Sequence, residues 1–201
     1  MVFLFLIKGV TCGGTGHAIY KGHLYCNRAN TNKIVKIDII TETIVQETVL
    51  QDASSEDDYA YDWGGLSNID FALDDNDVMY VIYGSFSRAG IMAVSKLDMD
   101  SLSILQTWYT SINKNKVGNA FIVKGVLYML NSHSKPTYIS YFDTNTNGNT
   151  TLRVTDIPYN GPSNGYLTQL AYMPGTGLLY VWDNGLLQKV PLRFNSSGKA
   201  S

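Results

Sequence analysis

Runs of four to eight residues rich in Val, Ile, Tyr, Thr, Phe and Leu recur along the chain, and several alternate apolar with polar positions at a period of two. Examples of the runs are Ile34-Val35-Lys36-Ile37, Met79-Tyr80-Val81-Ile82-Tyr83, Ile91-Met92-Ala93-Val94-Ser95 and Thr137-Tyr138-Ile139-Ser140-Tyr141. A period of two puts successive side chains on opposite faces of a sheet, so these runs predict strands. Clusters of Gly, Asn, Asp and Ser separate them, as expected of turns between antiparallel strands. Ser101 to Thr110 is ambiguous by pattern, but its β-branched and aromatic content favours a strand. No stretch of ten or more residues carries convincing helical periodicity, and the predicted class is all-β.

The strands recur in register. Leu24-Tyr25, Met79-Tyr80, Leu127-Tyr128 and Leu179-Tyr180 place a tyrosine after an aliphatic residue at spacings of 55, 48 and 52. Three of the four units then end a second strand on aspartate, at Asp38, Asp98 and Asp143; the fourth, Leu187 to Pro191, does not. A repeat of about 40–50 residues holding four strands is the pattern of a β-propeller. One blade cannot bury both of its faces, and stacking blades around an axis can. An irregular β-sandwich with chance repetition is the alternative. Four units fill the chain, which is either a tight four-bladed ring or part of a larger propeller.

Composition narrows the function more than the fold. The 201 residues are 12% aromatic and only 16% charged, which is the profile of one ordered domain, not of a disordered segment. Fifteen Lys and Arg against seventeen Asp and Glu leave a net charge of −2, without the basic field that nucleic-acid binding requires. The head, MVFLFLIK, is apolar for too few residues to span a bilayer, so no membrane insertion by this segment is expected. Cys12 and Cys26 are too few for a disulfide scaffold; their pairing is possible but not implied.

Several segments, in order, resemble the olfactomedin domain. They run from Gly14-Thr15-Gly16-His17-Ala18-Ile19-Tyr20 through Tyr61-Asp62-Trp63-Gly64-Gly65 and Asn68-Ile69-Asp70-Phe71. They continue with Gln106-Thr107-Trp108, Gly118-Asn119-Ala120-Phe121-Ile122-Val123 and Asp156-Ile157-Pro158-Tyr159, and end at Leu179-Tyr180-Val181-Trp182-Asp183-Asn184-Gly185. The resemblance implies a five-bladed propeller of which about four blades are present. It divides the chain into a non-family head at 1–13, expected to be unstructured or a gene-model artefact, a partial propeller at 14–195, and a tail at 196–201.

The same resemblance implies a Ca²⁺ site in the central channel. Its side-chain ligands correspond to Asp70 and Asn119, and its backbone-carbonyl ligands to Ala120 and Leu170. The sequence departs from that pattern at two places. A carboxylate expected after Leu170 is replaced by Ala171, and one expected two residues before Asp70 is Asn68. One formal negative charge remains, so Ca²⁺ binding is expected to be weakened. The resemblance also implies a disulfide ending at position 124, which is Lys124 here, so that staple cannot form.

Other chemistry reads as structural. Asp74-Asp75-Asn76-Asp77 lacks the glycine and glutamate of an EF-hand loop and is expected to be a turn. His17, His23 and His133 have no zinc spacing. There is no Gly-x-Ser-x-Gly elbow, and Cys26 has no assignable histidine partner. Asn149 and Asn195 open glycosylation sequons. The resulting expectation is a secreted, non-enzymatic module that recognises extracellular or cell-surface proteins through its loops, in adhesion, matrix organisation or signalling. Oligomerisation is expected only through regions outside this chain. The alternatives are a propeller hydrolase using channel carboxylates around Asp70, with Asp57, Asp58 and Asp62 as further carboxylates, and a truncated product without independent function.

Overall fold

The computed structural model describes residues 5–7, 9–135, 139–146, 152–154 and 165–193. These form sixteen strands in four antiparallel sheets. The first sheet holds β1 (Phe5–Ile7), β2 (Val10–Tyr20), β3 (His23–Arg28), β4 (Lys33–Asp38) and β5 (Thr43–Val49). The second holds β6 (Ile69–Leu73), β7 (Met79–Gly84), β8 (Ile91–Leu97) and β9 (Ile104–Asn113). β10 (Asn119–Val123), β11 (Val126–Leu130), β12 (Ile139–Asp143) and β13 (Leu152–Val154) make the third. The fourth has β14 (Leu167–Met173), β15 (Leu178–Asp183) and β16 (Leu186–Pro191). Within each sheet the strands pair in chain order, the meander that a propeller blade requires.

The tyrosine repeat marks one position in every sheet. Tyr25, Tyr80, Tyr128 and Tyr180 lie on β3, β7, β11 and β15, opposite Ala18, Ala72, Phe121 and Ala171 of the preceding strand. The repeating aspartates are turn-formers. Asp38 Oδ1 accepts the amides of Ile40 and Thr41, and Asp98 Oδ1 accepts those of Asp100 and Ser101. Such local bonds fix the reversals from β4 to β5 and from β8 to β9.

The core lies between neighbouring sheets. On β7, Met79, Val81 and Tyr83 pack toward the first sheet with Tyr25, Ile34 and Phe71, while Tyr80 and Ile82 pack toward the third with Ile122 and Leu127. β11 repeats this, with Leu127 and Met129 on one face and Tyr128 and Leu130 on the other, against Leu170 and Val181. Each such aliphatic or aromatic side chain contributes roughly 1.5–3 kcal/mol on burial. The two middle sheets are therefore covered on both faces by neighbours, as in stacked blades.

Two features differ from the sequence reading. Among the described residues the strand count is five, four, four and three, not four in each unit. Residues 5–7 and 10–13, assigned above to a non-family head, are part of the first sheet: β1 pairs with β2, and β2 runs unbroken from Val10 past Gly14. The reason is packing. Val10 and Cys12 are buried with Leu24, Cys26, Val35 and Ile37, and Cys12 is disulfide-bonded to Cys26 across the β2–β3 pair, with Cα atoms 5.7 Å apart. Both sequons, at Asn149 and Asn195, and the 196–201 tail lie outside the described residues.

Candidate functional site

β2 of the first sheet and the first strands of the other three, β6, β10 and β14, gather around one cavity of about 310 Å³. β2 packs on β6, β10 on β14, and β14 on both β2 and β6. Thr15 Oγ1 donates to the Thr168 carbonyl at 2.6 Å, joining β2 to β14. The cavity is lined by Gly16 and His17 from β2, Asp70 from β6, Asn119 and Ala120 from β10, and Leu170 and Ala171 from β14. The four positions expected to converge, Asp70, Asn119, Ala120 and Leu170, thus share one wall-to-wall space although up to 100 residues separate them. Tyr172, Met173 and Pro174 also line it, and the Tyr172 hydroxyl donates to both oxygens of Asp75, in the turn between β6 and β7.

Asp70 is 6% exposed, and its Oδ1 has no hydrogen-bond partner among the described residues. Burial raises its carboxyl above the ordinary range; the Lys114 charge and the Tyr61 hydroxyl pull the other way. Gly16 is required beside it, since a Cβ at that position would lie 2.0 Å from Asp70 Oδ1. Asn119 Oδ1 accepts the Ala120 amide at 2.9 Å. His17 Nε2 is also buried without a partner, and desolvation lowers its pKa from 6.5 to about 4, so the ring is neutral at pH 7.

A cation lies nearby that sequence reasoning did not single out. Lys114 is fully buried in the short 3-10 turn Lys114–Lys116 between β9 and β10. Its ammonium donates to the Ser67 carbonyl and sits 3.5 Å from the centroid of the Tyr61 ring. Desolvation lowers its pKa to about 8, opposed by the charges of Asp70 and Asp57, so it remains protonated at neutral pH. Burial and the Asp70 charge push the Tyr61 hydroxyl well above its usual value. Lys114 stands in a Lys-Asn-Lys run that looks solvated by composition; no periodicity within a three-residue turn could mark it as buried.

The remaining candidates are dispersed. Asp62 pairs with His133 at 2.8 Å, Asp58 meets Ser54, and Asp57 accepts the Leu66 amide. His23 Nδ1 lies 2.9 Å from the Lys21 carbonyl. Asp74 to Asp77 form the expected turn, with Asp74 Oδ1 accepting the amides of Asn76 and Val78. Among the described residues no three His, Cys, Asp or Glu side chains group as metal ligands.

The family model of the olfactomedin-like domain matches residues 7–197. The chain belongs to the olfactomedin-like domain family. The match begins ahead of Gly14, in agreement with the early start of the first sheet. Myocilin of Canis lupus familiaris is 34% identical over 170 residues, covering 85% of this chain and 35% of that protein. Myocilin of Bos taurus is 35% identical over 172 residues, covering 85% and 34%. The chain thus spans about a third of the length of these relatives. Among solved structures, that of Chaetomium thermophilum Raptor superposes with a TM-score of 0.49 at 12% identity, over 87% of this chain and 15% of that one, too slight a likeness to bear on function.

The Ca²⁺ expected of an olfactomedin-like channel can be tested against the donors present. Asp70 is the only carboxylate lining the cavity among the described residues. Asn68 lies outside that lining and donates through Nδ2 to the Glu56 carbonyl at 2.7 Å, and Ala171 offers only a methyl group. Ca²⁺ takes six to eight oxygens and depends on carboxylates for charge. One carboxylate among the lining residues does not fit a divalent ion.

Proposed function

We propose that this olfactomedin-like domain is an extracellular, non-enzymatic recognition module, acting in cell adhesion, matrix organisation or signalling. Its four sheets are read as four blades of a five-bladed propeller. Family membership over residues 7–197 carries the reading. The Cys12–Cys26 disulfide supports it, because such bonds form and persist in oxidising compartments. Among the described residues no helix is long and apolar enough to cross a membrane.

The contact surfaces we assign are the loops on these rigid sheets, Gln51 to Tyr61 and Ser132 to Thr137, the latter described only as far as Lys135. The Gln51–Tyr61 loop walls a shallow groove with Asn32 and the exposed ring of Phe86, bordered by Glu56 and Asp58. A hydrolase reading would need two carboxylates facing one substrate. Asp57, Asp58 and Asp62 are engaged outside the cavity that Asp70 lines, and this favours the module.

The test is expression of the whole chain behind a working signal sequence. The protein should reach the medium and lose mass at Asn149 or Asn195 when treated with an amidase specific for N-linked glycans. It should bind intact cells saturably, and Glu56→Lys with Phe86→Ser should weaken that binding without changing the melting temperature. Retention in the cytosol, or binding indifferent to both substitutions, would overturn the reading.

A further inference from the structure

We propose that the channel cavity is a small-molecule site for an organic cation, a primary ammonium carried on a compact apolar body. At about 310 Å³ the cavity falls in the size range of ligand pockets. Asp70 is the only Asp, Glu, Lys or Arg among the described residues that line it, and Phe71, Leu73, Phe121, Leu170 and Met173 supply apolar wall. Asp70 is 6% exposed, and its Oδ1 has no hydrogen-bond partner. No ion pair among the described residues includes it. Lys114 lies outside the lining, and its ammonium is taken up by the Ser67 carbonyl and the Tyr61 ring. A carboxylate already withdrawn from water gains most from a partner that brings both a positive charge and N–H donors. His17, whose Nε2 is also buried without a partner, lines the same cavity.

The lining changes from polar to apolar along the strands. Asp70 and Asn119 stand at the starts of β6 and β10, whereas Leu73 ends β6, Met173 ends β14, and Pro174 follows. The ends of β6 and β14 are braced together by Asp75, which accepts the Tyr172 hydroxyl at 2.8 Å and the Gly175 amide at 2.7 Å. Asp70 and Leu73 are separated by three residues of strand, about 10 Å. Ile19 and Met173 line the cavity and are 69% and 46% exposed, so it opens to solvent beside them. A ligand entering there would carry its ammonium inward to Asp70 and rest its apolar body on Leu73, Phe121 and Met173. A bare inorganic ion would leave those walls uncovered, and an anion would be repelled by Asp70. The cavity shares no lining residue with the groove of the Gln51–Tyr61 loop, so the two surfaces can be tested separately.

The experiment uses the whole chain and phenethylammonium chloride as the probe, followed by titration calorimetry and by melting temperature. The parent should bind one equivalent saturably and melt higher with it. Phenethyl alcohol keeps the body without the charge, and methylammonium keeps the charge without the body. Each should bind at least about tenfold more weakly, since a charged hydrogen bond and a buried ring are each worth that factor or more. Asp70→Asn keeps the shape and should abolish the preference for the ammonium over the alcohol. Ile19→Lys, at the exposed rim, should weaken the ammonium and leave the alcohol unchanged. Should Asp70→Asn not fold, the parent ligand series together with Ile19→Lys decides the question. No saturable binding of the ammonium, or equal binding of ammonium and alcohol by the parent, would overturn the proposal. So would ammonium binding that neither substitution changes. Calcium or sodium chloride that binds stoichiometrically and excludes the ammonium would also overturn it, because Asp70 would then hold an inorganic ion.

Discussion

Thr15 on β2 and Thr168 on β14, 153 positions apart in sequence, are joined by the Thr15 hydroxyl donating to the Thr168 carbonyl at 2.6 Å. This bond ties the innermost strand of the first sheet to that of the last, across the rim of the cavity. A typical intramolecular hydrogen bond contributes about 0.5–1.5 kcal/mol net. Thr15→Val keeps the shape and removes the donor, and should lower the unfolding free energy by about that amount in urea titration. An unchanged midpoint would show that the two sheets are held together without it.

The disulfide is a second long-range constraint on the first sheet. Cys12 and Cys26 are 14 residues apart, and closing a loop of that size stabilises by about 3 kcal/mol in the chain-entropy description. Cys12→Ala with Cys26→Ala should lose roughly this amount, and reductant should destabilise the parent but not the double variant. Alkylation of both thiols in unreduced, denatured protein would show that the bond is absent.

His17 should make the chain acid-sensitive. Its folded pKa, about 4, lies below the unfolded value of 6.5, so the folded state binds fewer protons between those limits. Unfolding takes up a proton in that window, and stability therefore falls as pH falls from 6.5 toward 4. The loss reaches at most about 3 kcal/mol at its full extent. His17→Gln should flatten that part of the pH–stability curve relative to the parent, and parallel curves would refute the assignment.

Restoring a carboxylate should restore a metal response. Ala171 lies on β14 beside Leu170 and lines the same cavity as Asp70. Ala171→Asp would place a second carboxylate in that cavity. Calcium should then raise the melting temperature, corresponding to about 2.7 kcal/mol at a hundredfold excess over Kd. If calcium leaves Ala171→Asp unmoved, the carboxylates at 70 and 171 do not share a cation.

Gly16 offers a steric check on the cavity. Gly16→Ala would set a methyl group against the whole Asp70 side chain, with Cβ 2.0 Å from Oδ1 and 2.5 Å from the Asp70 Cβ. Overpacking of this kind costs about 1–3 kcal/mol. The variant should melt several degrees below the parent, and an unaffected melting temperature would mean that β2 and β6 do not approach so closely.

What the amino-acid sequence determines by itself is local and periodic. The apolar run Met79–Tyr83 dictates a strand buried on both faces, and Asp38 and Asp98 dictate turns, because each effect acts within a few residues, while the tyrosine spacing marks one equivalent position in each sheet. The ordered motifs around Asp70 and Asn119 also announce the family, and the structure brings those positions to one cavity. The tertiary structure alone decided that Cys12 meets Cys26, that residues 10–13 join the sheet, and that Lys114 is buried against Ser67 and the Tyr61 ring while Asp62 turns away to His133. Those outcomes depend on the distance between strands far apart in sequence and on which side chains lose water together. A buried lysine and a solvated lysine are the same letter in the chain, and only packing distinguishes the charge that needs a partner from the one that water already satisfies.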